Sequence, residues 1–188
     1  KDGRNKKYDC IIGVSGGVDS SYLCHIAVKK FKLRPLAVHF DNTFNSSIAT
    51  ENIKKVLQKL NVDLYTHVLD NREAGDIYRS FFKASVRDFD VLTDIAIPEI
   101  MYRMARKYGL KYILEGHALS AEGIAPLGAM YFDGKYLKSV HKKFGKTKLK
   151  TFPLMTLWNF IKWTAIYQIK KVRPFWYLQY SKEEAIEF

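Results

Sequence analysis

The stretch Tyr8-Asp9-Cys10-Ile11-Ile12-Gly13-Val14-Ser15-Gly16-Gly17-Val18-Asp19-Ser20 decides how the rest of the chain reads. Its first seven residues form a short apolar run, as a buried strand does, and the run stops at a Ser-Gly-Gly turn. Across 19–31 apolar residues recur at Tyr22, Leu23, Ile26 and Ala27, which predicts a helix. A strand, a glycine turn and a helix in immediate succession make a site for an anion. Gly16 and Gly17 permit positive φ and bare the backbone, so successive N–H groups converge on one point. The helix behind them adds the partial positive charge of its N-terminus. Val14 ends the strand beside the turn, and the Ser15 and Ser20 hydroxyls are donors to phosphate oxygens. Asp19 by itself repels phosphate. Its functional reading is to hold Mg²⁺ against a pyrophosphate; the alternative is that it only caps the helix.

Outward from this stretch the chain alternates. Leu36-Ala37-Val38-His39-Phe40 predicts a second strand, and 51–60, apolar at Ile53, Val56, Leu57 and Leu60, a second helix. Residues 64–69 predict a third strand, 73–87 and 94–108 two helices, and 111–115 a fourth strand ending at Gly116-His117. Such alternation argues for parallel βαβ units, hence an α/β fold with a doubly wound, mostly parallel sheet. The pattern stops near residue 120. Beyond it, Met130-Tyr131-Phe132-Asp133-Gly134-Lys135-Tyr136-Leu137 predicts a hairpin about an Asp-Gly turn. A lysine-rich segment and an apolar helix over 153–170 complete this C-terminal appendage. The chain opens on Lys1 and closes as Ser181 caps a new helix, so it is expected to be part of a longer protein.

Lys and Arg outnumber Asp and Glu by 31 to 19, a formal charge of +12, which favours anionic partners without choosing among nucleotides, RNA and lipid head groups. Cys10 and Cys24 form neither a disulfide framework nor a zinc knuckle and read as small buried hydrophobes. No signal peptide is visible at the start. The apolar stretch 152–169 is broken by Asn159, Lys162 and Gln168, which argues against a membrane span, and the expected compartment is the cytoplasm.

Ser15-Gly16-Gly17-Val18-Asp19-Ser20 carries neither a Gly-Lys-Ser/Thr nor a Gly-x-Gly-x-x-Gly pattern. It resembles instead the PP-loop ATP pyrophosphatases, whose signature is Ser-Gly-Gly-x-Asp-Ser directly after the first strand. That resemblance implies ATP and Mg²⁺ as cofactors, cleavage between the α and β phosphates, and activation of a substrate oxygen by adenylation. It also implies a place for the adenine beside Phe40, at the end of His39-Phe40-Asp41-Asn42, and an approach to the nucleotide by Gly116 and His117. Both segments end strands at the edge where doubly wound folds bind ligands. Residues 1–125 then form the ATP-binding domain, and 126–188 the hairpin, basic segment and helical substrate or interface region.

A second resemblance covers more of the chain. His39-Phe40-Asp41-Asn42-Thr43, Ile48-Ala49-Thr50-Glu51-Asn52-Ile53, Asp76-Ile77-Tyr78-Arg79-Ser80-Phe81, Glu122-Gly123-Ile124-Ala125-Pro126 and Tyr131-Phe132-Asp133-Gly134-Lys135-Tyr136 are similar to the N-acetyl sugar amidotransferases, the WbpG-like proteins of lipopolysaccharide biosynthesis. This implies conversion of an N-acetyl group on a nucleotide-linked sugar into an acetamidino group, with ammonia from separate glutaminase subunits. The chain departs from that family after Gly116-His117, where Ala118-Leu119-Ser120-Ala121 replaces a polar or aromatic stretch containing Arg. Seven lysines stand in 135–150, of which Lys142 and Lys143 are candidates for neutralising phosphate; a solvated lysine face is the plainer reading. Trp158, Phe160, Trp163 and Tyr167 predict a core or subunit-interface helix face, with docking of the glutaminase or contact with a membrane surface as the alternatives. Two other functions stay open as well: a tRNA-modifying PP-loop adenylase, for which no RNA-binding module is visible, and a nucleotide-binding regulator without chemistry.

Overall fold

The computed structural model describes residues 5–86, 90–117, 133–178 and 180–187. The described elements run β1 (Cys10–Gly13), α1 (Val18–Lys29), β2 (Pro35–Asp41), α2 (Ser47–Leu60), β3 (Asp63–Val68), α3 (Asn71–Ala84), α4 (Val91–Lys107), β4 (Tyr112–Leu114), α5 (Gly134–Phe144), α6 (Leu157–Ile161), β5 (Lys170–Val172) and α7 (Lys182–Glu187). The strands form one sheet in the order β3-β2-β1-β4-β5, and each adjacent pair is parallel. This is the doubly wound α/β fold that the alternation predicts.

Side-chain alternation along the strands sorts the core into two layers. Cys10, Ile12, Val14 and Ala37 point to one face and pack with Leu23, Cys24 and Ala27 of α1 and Ile53, Leu57 and Leu60 of α2. Ile11, Leu36, Val38 and Phe40 point to the other, against Ile77 and Phe81 of α3 and Leu92, Ile95, Ala96 and Ile100 of α4. Burial on both faces is why β1 reads as a continuous apolar run and not as an alternating one. Both cysteines are buried and unbridged; burial pushes their thiols up, to about 12 for Cys10 and about 11 for Cys24.

Two expectations for the C-terminal part are corrected. Asp133-Gly134 is not a hairpin turn: Asp133 is the N-cap of α5, its carboxylate accepting from Tyr136 N at 2.8 Å. Asp followed by Gly serves a helix start as well as a turn, and the apolar spacing of Leu137 and Val140 suits the helix. Residues 130–132, and the expected boundary at 125–126, lie outside the described residues. The continuous helix over 153–170 is also absent. Thr156 caps the short α6, the chain widens into a π turn at Lys162–Ile166, and Gln168 adopts φ 54°, which ends it. Ile169 then enters the core and β5 pairs with β4. Trp163, Ile169 and Phe152 share the core layer of α3 and α4, so both parts of the chain are built on one sheet. Among the described residues no helix is long and apolar enough to cross a membrane.

Two buried carboxylates of α3 bind the lysine-rich segment by its backbone. Asp76 Oδ2 accepts from Lys146 N at 2.7 Å, Thr147 N at 2.8 Å and His141 Nε2 at 2.9 Å. Glu73 accepts from the N–H groups of Lys150, Thr151 and Phe152 at 2.8–3.2 Å. The carboxylates therefore replace water for a stretch that has no ladder of its own. Burial alone raises the Asp76 carboxyl, but the Thr147 and Lys146 N–H groups and His141 outweigh it and hold it at about 2. A carboxyl lowered on folding stabilises the fold above its unfolded value and loses that contribution as pH falls through the folded value. We expect Asp76→Asn to cost about 2 kcal/mol near neutral pH, with wild type and variant converging as pH drops from about 4 to about 2. Urea unfolding across that range checks this, and a difference independent of pH contradicts it.

Candidate active site

β1 lies between β2 and β4, the place where successive connections depart to opposite sides of the sheet. At such a point the loops beyond the carboxyl ends diverge and leave a crevice, the usual ligand position in open α/β sheets. Here the crevice is a cavity of about 400 Å³. Val14 and Ser15 come from the exit of β1, Phe40 and Asn42 from β2, Thr93 and Ile97 from α4, Glu115, Gly116 and His117 from β4, and Arg173 from β5. Of the residues singled out from sequence, Val14, Ser15, Phe40, Gly116 and His117 are thus brought together around one cavity.

Gly16 and Gly17 border a second hollow of about 350 Å³ between the loop, α2 and α7, shared with Asn52, Lys55 and Lys59. Gly16 has φ 81°, and a Cβ there would stand 2.4 Å from the Ala49 carbonyl oxygen. Both its dihedral and its neighbour demand glycine. Asn52 Nδ2 donates to Gly16 O at 3.4 Å, so α2 backs the loop by contact and by hydrogen bond. Gly17 is the N-cap of α1 and has no side-chain cap; Ser20 Oγ and Ser21 Oγ donate back to Gly17 O at 3.2 and 2.9 Å. Ser15 and Ser20 face each other with their hydroxyl oxygens 3.3 Å apart. The loop's polar contacts are mostly long and local, which leaves donors able to turn to an incoming anion.

Asp19 stands in the first turn of α1 and does not cap it. Its Oδ1 accepts from the Tyr180 hydroxyl, and the Tyr180 ring stacks on Phe175 with centroids 4.4 Å apart. The C-terminal segment therefore reaches the phosphate loop. Mg²⁺ at a pyrophosphate takes one or two carboxylates and draws its other oxygens from phosphate and water. Asp19 stands beside the loop as one such carboxylate, and no cluster of three or more His, Cys, Asp or Glu occurs among the described residues. The donor set fits an ion that arrives with a phosphate ligand.

Gly116 lets the exit of β4 press on α1: a Cβ there would lie 3.2 Å from Asp19 O and 3.3 Å from Ser20 Cα. His39 ties β2 to β1. Its Nδ1 meets the Val14 carbonyl at 2.9 Å, which can only accept, and its Nε2 meets Asn45 Nδ2 at 3.1 Å, which can only donate. Asn45 Nδ2 also donates to Asp41 Oδ1 at 3.1 Å, which fixes the amide's orientation. These bonds select the Nδ1–H tautomer and make His39 a structural stitch beneath the cavity. Phe40 is buried to 7% exposure and its ring stacks on His67 at 6.4 Å between centroids, so little of its surface is open to a ligand.

Lys142 and Lys143 are not brought to this place. They are exposed in the last turn of α5, where Lys143 Nζ lies 5.4 Å from the Phe144 ring, and they are absent from the cavity wall. Among the described residues the lysine or arginine on the wall is Arg173. The apolar spacing of 153–170 masks it by favouring a helix; its local signal is Lys170-Lys171-Val172-Arg173-Pro174, a short run closed by a proline that cannot extend it. Arg173 Nε donates to Glu115 Oε2 at 3.2 Å, and Lys171 Nζ pairs with Glu115 Oε1 at 2.6 Å. Burial works to raise the Glu115 carboxyl, but the two cations outweigh it and hold it below its usual range. Ala118 to Ala121, where the chain departs from the amidotransferase pattern, lie outside the described residues.

Gly16→Ala is expected to lower stability by about 2 kcal/mol or more, since strain at positive φ adds to the clash with Ala49. It is also expected to remove any rise in melting temperature produced by Mg-ATP. A variant that melts and responds as wild type contradicts the loop's role.

A family model described as asparagine synthase matches residues 10–119, which holds the phosphate loop and the exits of β1, β2 and β4. An uncharacterized protein of Methanocaldococcus jannaschii is 34% identical over 113 residues, 60% of this chain and 39% of that protein, so the match spans about two-fifths of the relative's length. Among solved structures, the glutamine-dependent NAD+ synthetase from Acinetobacter baumannii in complex with ADP aligns with TM-score 0.50 at 21% identity, over 62% of this chain and 22% of that one. A predicted subunit of a tRNA methyltransferase from Methanocaldococcus jannaschii aligns with TM-score 0.50 at 13% identity, over 96% of this chain and 76% of that one. These two likenesses are of fold. The match over residues 10–119 takes in more than half of the chain and its Ser-Gly-Gly-Val-Asp-Ser loop, and the chain belongs to the asparagine synthase family, of the PP-loop ATP pyrophosphatase type.

Proposed function

We propose that this chain is the ATP-binding part of an amidotransferase-type ligase that cleaves ATP to AMP and pyrophosphate. The observation that carries the reading is the place of the Ser15–Ser20 loop at the exit of β1, with Ser15 on the wall of the cavity at the carboxyl edge of the sheet and Gly16 and Gly17 on the hollow between the loop, α2 and α7. In this reading adenine lies on the Phe40 side, and the β and γ phosphates meet the N–H groups of Gly17 and the first turn of α1. The loop supplies no side chain that attacks phosphorus. Its contribution is to position the triphosphate and to stabilise charge on the departing pyrophosphate. Asp19 would hold a Mg²⁺ ion, which would supply charge neutralisation at that pyrophosphate.

The acceptor we propose is the N-acetyl group of a nucleotide-linked sugar, serving surface-polysaccharide biosynthesis in the cytoplasm. The amide oxygen attacks the α-phosphorus, the α–β bond breaks, and pyrophosphate leaves with the electron pair. Ammonia from separate glutaminase subunits then adds to the imidate carbon, loses a proton, and AMP leaves with the C–O electrons. Support comes from where the resembling runs fall. His39–Thr43 forms the β2 exit, Ile48–Ile53 holds the Ala49 and Asn52 that back Gly16, and Asp76 anchors the lysine-rich segment. Residues 1–125 are assigned as the ATP-binding domain and 126–188 as the region that completes the substrate side through β5. Lys142 and Lys143 are left out of the catalytic set.

Asp19→Asn is expected to reduce AMP and pyrophosphate formation at least about 100-fold, as loss of a metal-holding carboxylate does, with an unchanged far-UV spectrum. The assay uses Mg-ATP with UDP-N-acetyl sugars plus ammonia, with tRNA, and with no acceptor. Turnover that needs both sugar and ammonia is the expected result. Turnover with tRNA alone, or wild-type rates in Asp19→Asn, contradicts it.

A further inference from the structure

Arg173 is held by two anchors that use only part of its guanidinium. Nε donates to Glu115 Oε2 at 3.2 Å, and Cζ lies 4.9 Å from the centroid of the Trp176 ring. Among the described residues its terminal Nη groups have no hydrogen-bond partner, although the side chain lines the cavity and is 40% exposed. Glu115 faces Lys171 as well as Arg173, so one carboxylate meets two cations and the corner keeps a surplus positive charge. A planar fork of donors among the residues of a concave wall, with positive charge left over, is suited to a phosphate or carboxylate oxygen pair.

Its place in the sheet says which ligand meets it. Phe40 leaves β2 and the phosphate loop leaves β1, so a nucleotide bound between them occupies the β2–β1 half of the edge. Arg173 leaves β5, on the other side of β4, roughly 10 Å from the exit of β1 at the ordinary strand spacing. We infer that Arg173 binds a phosphate group carried by the acceptor, with Glu115 and Trp176 as its positioning residues, so that the enzyme selects a phosphate-bearing acceptor. This rests on the nucleotide reading of the cavity and deepens it. The α-phosphate of the nucleotide is the other source of the same chemistry.

Calorimetric titration of the full chain with AMP, UDP-N-acetylglucosamine and free N-acetylglucosamine separates these. Arg173→Met is expected to weaken UDP-N-acetylglucosamine at least about tenfold, as loss of a charge-assisted pair does, and to leave AMP unchanged. Arg173→Lys, which keeps the charge without the fork, should fall between, and it serves if the methionine variant melts early. Glu115→Gln should weaken the same ligand while AMP affinity holds, a split that general loosening of the site does not produce. Unchanged binding of UDP-N-acetylglucosamine in Arg173→Met overturns the inference, as does wild-type chain that binds AMP but not the UDP-sugar. Loss of AMP affinity in that variant moves Arg173 to the α-phosphate and overturns the acceptor assignment. Wild-type chain that binds no adenine nucleotide rejects the ATP reading itself, a result distinct from the others.

Discussion

The contact on which the site depends is the approach of α2 to the backbone of Gly16. With φ 81° and the Ala49 carbonyl where a Cβ would go, that residue lets the chain leave β1, double back beneath α2 and enter α1 within four positions. A side chain there would push α2 away and swing the first turn of α1 off the end of β1. The loop's own hydrogen bonds are too long and too local to resist that. Shape is imposed from outside by α2, and the loop's donors stay available. Gly116 plays the matching part on the other side, letting β4 press on Asp19 and Ser20. The phosphate loop is therefore clamped between two neighbouring elements at the switch point of the sheet.

A second constraint governs the C-terminal half. After α5 the lysine-bearing stretch 145–151 has neither helix nor strand to hold it, and its charges repel one another. Glu73 and Asp76 solve this through the backbone, not through the lysine side chains, by accepting N–H groups from Lys146 to Phe152. That anchoring delivers Phe152 to the core and sets up the path through α6 to β5. β5 in turn brings Arg173 to the cavity. The remote clamp on α3 and the cation at the site are linked by a continuous stretch of ordered chain.

Most of the α/β layout was legible because β1 and β2 are buried on both faces and their helices carry apolar residues at helical spacing. The phosphate loop was legible because its chemistry requires glycine, serine and aspartate at fixed positions after a strand. Three features escaped for physical reasons. Asp133-Gly134 serves a turn and a helix cap equally, and only packing of Leu137 and Val140 on α3 and α4 decides between them. The 153–170 stretch is apolar at a spacing that allows helix or strand, and the left-handed Gln168 that breaks it carries no local signature. Lys142 and Lys143 looked eligible by charge alone, whereas the cation at the cavity wall is set by strand order, which spacing along the chain does not encode. The roles of Glu73 and Asp76 are likewise invisible without their partners some 65–79 residues away.

The most direct test of the central claim is a crystal structure of the chain with Mg²⁺ and α,β-methylene-ATP, which cannot be cleaved at the bond in question. The account predicts the β and γ phosphates on the N–H groups at the start of α1, the metal against Asp19 with Tyr180 displaced, and adenine beside Phe40. Phosphates bound at the α5 lysines, or a nucleotide seated away from the carboxyl ends of β2 and β1, would contradict it.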